Sequence, residues 1–367
     1  MILCANPSAQ FDRYQTEIES AVISVMRSNR YILGQEVEAL EKEFAEFIGT
    51  SHSVGVANGT DAIEIALRAL EIKSGDEVIT VSHTAVATVA AIEASGATPV
   101  LVDVENHFYT INTAQLEEVY GPKTKAIIAV HLYGQAADIG VIKNFCDTHN
   151  LFLIEDTSQA HGATYKKMKL GSIGDIGCFS CYPTKNLGAL GDAGLITTNN
   201  PELSAKIRML REYGWRNRIS EFAGRNSRLD EIQAAVLRIK LKNLDSDNSK
   251  RMALAEFYKE QLAHLPVTLP NVREDTCHVF HLFVVQLNHR DNLLRYFKEH
   301  GILAGVHYKK PVHMQPAYLK RVRTSNNMRV TEKLVKKIIS LPIYPELRYS
   351  EAQKVVDSLE EFSDKNY

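Results

Sequence analysis

This chain of 367 residues has few of the features that mark metal-binding, secreted or membrane proteins. Its five cysteines are scattered, and the CxxC spacing of Cys178 and Cys181 has no second pair to complete a metal site. No segment approaches the ~20 apolar residues of a membrane span, and the amino terminus lacks the basic start of a secretion signal. We therefore expect no bound metal and no membrane segment. The low cysteine content suits a protein of the reducing cytoplasm.

An excess of charge of one sign is also missing. Lys and Arg number 42, Asp and Glu number 44, and the formal net charge is −2 at pH 7. Because no long basic block occurs, nucleic acid is not expected as the main partner. With 45% hydrophobic and 23% charged residues, the chain is typical of a soluble enzyme with one large domain and a smaller one.

Short apolar segments alternate with helical patterns through the first half of the chain. Apolar residues recur at helical spacing over residues 37–48, before the first predicted strand. The predicted strands are residues 53–57, 77–81, 98–102, 125–130 and 151–154, and the predicted helices among them are residues 61–70, 84–94 and 138–149. Apolar strands that alternate with helices indicate an α/β fold with a mostly parallel sheet. In such sheets, ligands bind at the carboxyl ends of the strands.

The second half predicts a smaller α/β domain. A long helical pattern begins near Arg228, and polar residues dominate residues 240–250. We place the boundary there, with a large domain at residues 1–245 and a small domain at residues 246–367. The small domain has a predicted strand at residues 278–286 and predicted helices at residues 291–300 and from Ser350 onward.

Lys185 and Asp156 have the setting of two groups that a pyridoxal phosphate (PLP) enzyme needs. Lys185 lies just before a glycine-broken loop, and Asp156 follows a predicted strand. A loop must aim a Schiff-base lysine at the cofactor aldehyde, and a carboxylate must keep the pyridine nitrogen protonated so that the ring acts as an electron sink. The alternative is that Lys185 is a solvated lysine and Asp156 a turn residue.

A phosphate site is predicted where the first strand ends. Residues 57–62 read ANGTDA, so a flexible glycine leads into a helix whose free backbone N–H groups can hold a phosphate. Gly59 and Thr60 are the predicted contacts, and the hydroxyl of Ser180 is a third near the lysine loop. The alternative is a turn and helix cap at residues 58–61 and an ordinary serine at a strand end.

Two further polar residues follow Asp156 at short spacing. Gln159 is a candidate to bond to the ring oxygen of the cofactor. His161 either supports Asp156 or lines the substrate pocket. A lone histidine is more often structural, and this alternative also stands for His161.

Several motifs occur in one order along nearly the whole chain. They are YILG at residues 31–34, NGTDA at 58–62, VHLYG at 130–134, EDTSQAHG at 155–162, YPTKNLGALGD at 182–192, GRNSRLDE at 224–231 and HYKKPVH at 307–313. With these motifs the chain resembles the DegT/DnrJ/EryC1/StrS family of PLP-dependent nucleotide-sugar aminotransferases. Each motif alone is weak, but this number in the right order makes chance agreement negligible.

The resemblance implies a fold type I PLP-dependent transferase that works as a homodimer, with active sites at the subunit interface. Lys185 then forms the Schiff base, Asp156 pairs with the pyridine nitrogen, and Gln159 meets the ring oxygen. Asn226 reaches the phosphate of the cofactor bound by the other subunit. The implied phosphate contacts are Gly59, Thr60 and Ser180. The implied reaction moves an amino group from glutamate to a ketosugar on a nucleotide diphosphate, with the same lysine moving protons in both halves.

The loop after the second predicted strand departs from the family pattern. Many members have an aromatic residue where this chain has Ala85. Either His83 covers the face of the cofactor in its place, or Ala85 simply leaves space there.

The pair His307 and Tyr308, followed by His313, resembles family members that act on 3-keto sugars. The preferred substrate is therefore a dTDP-linked 3-keto-6-deoxyhexose, and the product an amino sugar for a surface polysaccharide or a glycosylated metabolite. The alternatives are a 4-keto sugar and a 3-keto uronate. For His307 and His313 the structural alternative is a polar loop packed against the large domain.

Other candidate substrate contacts lie elsewhere in the chain. Tyr182, beside the lysine loop, and Tyr31, in the first motif, are candidates to touch the sugar nucleotide. Arg27 and Arg30 are the candidates for its diphosphate.

Two other activities compete with transamination. Some relatives have histidine at the lysine position and remove a sugar hydroxyl, but this chain has Lys185 there. A non-catalytic sensor that binds PLP and a nucleotide sugar is the alternative of another class. The presence of the lysine, the aspartate and the predicted phosphate contacts argues against this alternative, and turnover with glutamate would exclude it.

Overall fold

The structure, a computed structural model, describes residues 1–366 as alternating strands and helices. The strands are β1 (Ile2–Leu3), β2 (His52–Val56), β3 (Glu77–Val81), β4 (Thr98–Val102), β5 (Thr124–Val130), β6 (Phe152–Asp156), β7 (Thr164–Tyr165), β8 (Met168–Lys169), β9 (Ile176–Ser180), β10 (Gly194–Thr198), β11 (Trp215–Arg216), β12 (Ile219–Ser220), β13 (Thr276–Cys277), β14 (Phe283–Gln286), β15 (Ile302–Leu303), β16 (Arg323–Thr324) and β17 (Ile338–Leu341). The helices are α1 (Pro7–Arg13), α2 (Gln15–Arg27), α3 (Gln35–Ile48), α4 (Gly59–Ala69), α5 (Val86–Ser95), α6 (Leu116–Val119), α7 (Ile139–His149), α8 (Pro201–Leu210), α9 (Glu231–Leu262), α10 (Arg290–Glu299), α11 (Arg329–Leu334) and α12 (Tyr349–Asn366).

One eight-stranded sheet organises most of the protein, in the order β16-β4-β3-β5-β6-β9-β10-β2. Strand β10 is antiparallel to its neighbours β9 and β2, and the remaining pairs are parallel. All five residues of β3 are buried, as expected for a strand covered by helices on both faces. The predicted α/β fold with a mostly parallel sheet is confirmed.

The predicted elements agree with the structure to within about two residues. Strands β3 and β4 have the predicted bounds, and β2 and β5 each begin one residue early. Strand β6 continues two residues beyond the predicted end, so Glu155 and Asp156 both belong to it. Successive strand residues face opposite sides, so the two carboxylates point away from each other.

Three strands of the sheet and part of another segment differ from the prediction. Strands β9, β10 and β16 were not predicted. Strand β9 contains Gly177 and Ser180 among few β-branched residues, and β16 has only two residues. The strand predicted at residues 278–286 forms only from Phe283 onward. Its first part is irregular, with Phe280 at a φ of 43°.

A large apolar core lies between the sheet and its helices. Helix α9 takes part in two other large cores: its first half packs with α3, β9 and β10, and its second half packs with α10, α12, β14 and β17 and with Ile2. Helix α9 runs without a break through residue 245, so the boundary between residues 1–245 and 246–367 stays a prediction. Within residues 1–366, none of the helices combines the length and apolar composition needed to cross a membrane.

Candidate active site

The carboxyl ends of β2, β3, β5, β6 and β9 meet at one edge of the sheet and border a cleft of about 650 Å³. Two segments beyond α9, around residues 281 and 307–308, close its other side. The predicted site residues that line this cleft are Gly59, Thr60, Asp156, Gln159, Ser180, Tyr182, Lys185, His307 and Tyr308. Segments far apart in sequence thus converge where parallel sheets bind ligands.

One corner of the cleft is built by the start of α4 and the end of β9. The side chain of Asn58 caps α4 by accepting a hydrogen bond from the Asp61 amide at 2.8 Å. A Cβ atom at Gly59 would lie 2.5 Å from Cβ of Ser180, so only glycine allows this close approach. The first amides of a helix have no partner within the helix. The amides of Gly59 and Thr60 and the Ser180 hydroxyl therefore form a corner suited to a phosphate.

Asp156, at the end of β6, presents a carboxylate to the cleft. The Thr88 hydroxyl, on α5, donates to Oδ2 at 2.8 Å, and the Ser158 amide donates to Oδ1 at 3.2 Å. Each carboxylate oxygen of Asp156 therefore accepts a hydrogen bond from a different element. Asp156 is thus held by two elements and is suited to a positively charged ligand atom.

Glu155 anchors the opposite side of the same strand. Its carboxylate accepts hydrogen bonds from His131 at 3.1 Å and from the amides of Gly171, Ile173 and Gly174, each at 2.8 Å. Burial alone would raise the pKa of Glu155, but these donors lower it below its ordinary value. This fully bonded carboxylate fixes the end of β6 and so the position of Asp156.

The lysine loop carries Lys185 into the cleft. The loop closes on itself through the Lys185 amide, which donates to the Tyr182 carbonyl at 2.8 Å. It is also tied to α9, because Nζ of Lys240 donates to the Gly188 carbonyl at 2.8 Å. Burial lowers the pKa of Lys185 to about 8, against the opposing effects of Asp156 and Cys181. A lysine with this pKa has a usable fraction of unprotonated, nucleophilic amine near neutral pH.

Gln159 borders the cleft with both ends of its amide engaged. Its Oε1 accepts from the Tyr133 amide at 2.8 Å, and its Nε2 donates to the Tyr308 hydroxyl at 2.9 Å. A hydrogen bond from Gln159 to a cofactor oxygen would use the same Nε2 group. The role predicted for Gln159 therefore requires Nε2 to donate to the cofactor oxygen either in addition to the Tyr308 hydroxyl or in place of it.

Ala85 and His83 have different environments. Ala85 lines the cleft, whereas His83 is buried beneath it and bonds through Nε2 to the Tyr133 hydroxyl at 2.7 Å. Burial lowers the pKa of His83 to about 3. His83 is not among the residues that line the cleft, and its ring meets that of Tyr133 edge to face, so its contact with the cofactor stays a prediction.

Two other predicted histidines also lie outside the cleft lining. The ring of His161 is fully buried against Phe179 and lies close to the backbone of Ser180. Burial, with the nearby charge of Lys185, lowers its pKa to about 3. His313 bonds through Nδ1 to the Ser82 hydroxyl at 2.6 Å, which ties its segment to the end of β3. Both positions fit the structural alternative.

His307 and Tyr308 form the wall that faces the lysine loop. Nδ1 of His307 pairs with the Ser340 hydroxyl at 2.8 Å, and its carbonyl accepts a hydrogen bond from Tyr133. Burial lowers the pKa of His307 to about 4, so its imidazole is neutral at pH 7. Tyr182 is half exposed and lies at the mouth of the cleft.

Tyr31 and Asn226 are exposed residues outside the cleft lining. Tyr31 is 52% exposed, and its hydroxyl donates to the Met26 carbonyl at 3.2 Å. Asn226 lies in a loop held by a backbone bridge to Glu212. Neither residue lines the cleft of its own chain, and the predicted roles of both stay predictions.

Among the polar residues that line the cleft without a role predicted from sequence are Thr88, His131 and His281. Thr88 is the one polar residue among residues 86–92 of helix α5, which is a weak signal that could have been used. His281 lies in an apolar segment predicted as a strand and has no such signal.

The cleft fits the predicted cofactor in its donor set. It offers a reactive amine at Lys185, a carboxylate at Asp156, and a corner of helix amides and hydroxyl groups at Gly59, Thr60 and Ser180. A phosphorylated pyridine aldehyde needs these three kinds of partner at once. Lys185 and Asp156 are thus not the separate surface residues of the alternative interpretation.

Comparison with known proteins gives a consistent answer over the whole chain. Residues 12–360 match the DegT/DnrJ/EryC1/StrS aminotransferase family. The chain is 43% identical to dTDP-3-amino-3,4,6-trideoxy-alpha-D-glucose transaminase of Streptomyces venezuelae, covering 97% of this chain and 95% of that protein. It is 44% identical to dTDP-3-amino-3,6-dideoxy-alpha-D-galactopyranose transaminase of Aneurinibacillus thermoaerophilus, covering 95% and 96%. The crystal structure of Streptomyces venezuelae DesV superposes with a TM-score of 0.96 at 42% identity, covering 99% and 98%.

Proposed function

The chain belongs to the DegT/DnrJ/EryC1/StrS aminotransferase family, and on that premise we propose that it transfers an amino group from glutamate to C3 of a dTDP-linked 3-keto-6-deoxyhexose. The enzyme is an aminotransferase that acts on a nucleotide-linked sugar, and its cofactor is PLP. The donor, the nucleotide and the carbon that receives nitrogen are the parts that we propose.

One observation carries the assignment of roles, namely that the amine of Lys185, the carboxylate of Asp156 and the amide corner at Gly59 line one cleft. When bound, PLP supplies an electron sink for the carbon that loses or gains a proton. Asp156, fixed by Thr88, holds the proton on the pyridine nitrogen. Lys185 binds the cofactor at rest and, once free, takes and returns protons at the reacting carbon, for which its lowered pKa suits it.

The sugar specificity is supported by the wall opposite the lysine loop. His307 and Tyr308 line the cleft there, and both relatives named above form sugars with nitrogen at C3. His307 stays neutral and offers Nε2 to the cleft, since its Nδ1 is paired with Ser340. An uncharged polar wall suits the hydroxyl groups of a deoxysugar better than it suits a carboxylate. The 3-keto uronate alternative is therefore less favoured.

A second copy of the chain completes the proposed site. Exposed apolar residues occur close together in sequence at Ile23, Met26, Tyr31 and Ile32, and a surface of this kind is typical of an interface. Asn226 is likewise exposed and does not line the cleft of its own chain. A homodimer would bring Asn226 of one chain to the phosphate corner of the other. We place this dimer in the cytoplasm, where nucleotide sugars are made.

Isotope transfer tests the proposed reaction. The enzyme is incubated with nitrogen-15-labelled glutamate and a dTDP-3-keto-6-deoxyhexose, and the product is examined by mass spectrometry and NMR. The proposal predicts a labelled amine at C3 and 2-oxoglutarate as the other product. Label at C4, or labelled product only from a uronate, would contradict the substrate assignment while leaving the aminotransferase class intact.

Complementation between subunits tests the proposed dimer. Lys185→Ala and Asn226→Asp are each expected to be inactive as homodimers. Because the two defects fall in different sites of a mixed dimer, mixing the variants restores one complete site and up to a quarter or so of activity per chain. No recovery on mixing, with mixed dimers detected, would place Asn226 outside the shared site.

A further inference from the structure

His281 is a buried histidine in the cleft wall to which nothing above gives a role. It lies in the irregular segment that precedes β14, and it lines the same cleft as Lys185. Its Nδ1 is 3.2 Å from Oδ1 of Asn186, the residue that directly follows Lys185. The side chain of His281 therefore touches the lysine loop next to the reactive amine.

The orientation of the Asn186 amide is fixed by a main-chain carbonyl. Its Nδ2 donates to the Val279 carbonyl at 3.1 Å and to Oδ1 of Asn248 at 2.8 Å. Nδ2 of Asn248 in turn donates to the carbonyl of His161 at 2.8 Å. Because a carbonyl can only accept, neither amide can be reversed without losing these bonds. Oδ1 of Asn186 must then face His281.

The tautomer of His281 follows from this orientation. Since Oδ1 of Asn186 is an acceptor, Nδ1 of His281 must carry the hydrogen, and Nε2 is left unprotonated in the neutral ring. Burial, together with the charges of Lys185 and Arg251 and the neighbouring His307 and His161, lowers the pKa of His281 well below its ordinary value. In its neutral form His281 is thus a donor to Asn186 through Nδ1.

We propose that His281 is a positioning residue for Lys185, which it holds in register by donating Nδ1–H to Asn186. The three side chains and two carbonyls of this network join the lysine loop to α9 and to the segment that leads into β14. Without the Nδ1–H donor, Asn186 would leave a buried oxygen unpaired, and the loop would relax to satisfy it. The amine of Lys185, one residue away, would then lose its alignment with the cofactor aldehyde. This inference rests on the proposed role of Lys185.

Three single variants separate positioning from general damage. His281→Phe keeps the ring volume and removes the donor. His281→Asn places its side-chain NH₂ near the position of Nδ1 and can still donate to Asn186. His278→Phe is the matched control, because His278 is equally buried in the same segment but bonds to the Phe280 amide instead of the lysine loop.

The measurement is the rate at which the full-length chain, freed of cofactor, forms the absorbance band of lysine-bound PLP after PLP is added. Trace acetylation of Lys185 relative to the other lysines, read by mass spectrometry, reports the presentation of its amine without PLP. Thermal melting reports stability. Because small misplacements of reacting groups cost up to about 100-fold, we expect His281→Phe to slow both reactions by about 10- to 100-fold.

The pattern across the variants decides the inference. We expect His281→Asn to recover most of the rate, and His278→Phe to melt at a lower temperature with a rate within about twofold of wild type. Equal slowing in His281→Phe and His278→Phe, or no slowing in His281→Phe, would overturn the positioning role. Failure of the proposed function gives a different result: Lys185→Ala would then form the same band as wild type, whatever the state of His281.

Discussion

The hydroxyl of Thr88 donates a hydrogen bond to Oδ2 of Asp156 at 2.8 Å, which ties the first turn of α5 to the end of β6. Asp156 is the carboxylate assigned to the pyridine nitrogen of PLP. Thr88 is itself fully buried, and its hydroxyl also lies 3.0 Å from the hydroxyl of Thr84. The position of Asp156 therefore depends on a residue that contributes no chemistry of its own.

Removing this hydroxyl with Thr88→Val should weaken the enzyme while keeping its fold. A hydrogen bond to a charged group contributes about 1.5–3 kcal/mol, so we expect cofactor affinity to fall by about 10-fold or more. Thr88→Ser should restore most of it. The matched control is Thr80→Val, which removes a buried hydroxyl that donates to the Ile128 carbonyl, away from the cleft. Equal affinity losses in Thr88→Val and Thr80→Val would contradict a specific role for Thr88.

A methyl group at Gly59 should distort the phosphate corner. The added Cβ would lie 2.5 Å from Cβ of Ser180, so Gly59→Ala must push the two chains apart and is expected to lower the free energy of unfolding by about 1–3 kcal/mol. PLP affinity should fall more steeply than affinity for pyridoxal, which lacks the phosphate. The double variant Gly59→Ala with Ser180→Gly should regain stability and still bind PLP poorly.

Gly121→Ala is the control for this prediction, because nothing lies within 4 Å of a Cβ atom at that position. Its stability and PLP affinity are expected to match wild type. If Gly59→Ala lowered the affinities for PLP and pyridoxal equally, the corner would not be the phosphate site.

The amine of Lys185 should titrate well below an ordinary lysine. Burial lowers its pKa from 10.5 to about 8, so trace acetylation of Lys185 in the cofactor-free chain should reach half its maximum near pH 8. The Asp156 carboxylate opposes this shift by stabilising the ammonium form. Asp156→Asn should therefore move the midpoint to still lower pH. A midpoint near 10.5 in wild type, or an upward shift in Asp156→Asn, would contradict the electrostatic account.

The buried carboxylate of Glu155 should contribute to stability in a pH-dependent way. Its folded pKa lies below the ordinary value of 4.5, so its contribution is present above pH 4.5 and is lost as the pH falls through the folded pKa. Glu155→Gln should lower the free energy of unfolding at pH 7 by about 3 kcal/mol, since its buried partners lose a charged acceptor. The variant should also show a shallower loss of stability on acidification.

Denaturant unfolding between pH 3 and pH 7 checks this prediction. The control is Asp147→Asn, which removes a carboxylate that is 60% exposed and pairs with Lys143 on the surface of α7. Such pairs contribute little, so the control should unfold like wild type. A Glu155→Gln variant that matched the control would refute the anchoring role of Glu155.

The central residues of the site could be predicted because their chemistry leaves a local signature. Asp156 ends an apolar strand, Gly59 begins a helix, and Lys185 precedes a glycine-broken loop, so each carries its own context in sequence. The structure brings them together in one cleft, as the parallel sheet requires. Their roles, and the proposed contact of Asn226 with the phosphate of the other subunit's cofactor, stay predictions.

Other parts of the site depend on packing between distant segments, which the sequence does not display. The choice between His83 and Ala85 turns on the buried bond from His83 to Tyr133, 50 residues later. Thr88 reaches Asp156 only because α5 crosses the end of β6, and His281 reaches the lysine loop from beyond α9. Strand β9 was missed since its glycine and serine residues hide the usual strand pattern.

The central claim is that Lys185 carries PLP and that glutamate donates the amino group. Absorbance spectra of the purified enzyme before and after adding glutamate, beside those of Lys185→Ala, test it most directly. We predict that wild type loses the band of lysine-bound PLP and gains the spectrum of pyridoxamine phosphate, and that Lys185→Ala shows neither the initial band nor the change. If wild type bound PLP and glutamate left its spectrum unchanged, the donor assignment would be wrong. If Lys185→Ala showed the wild-type spectra, the assignment of the reactive amine would be wrong.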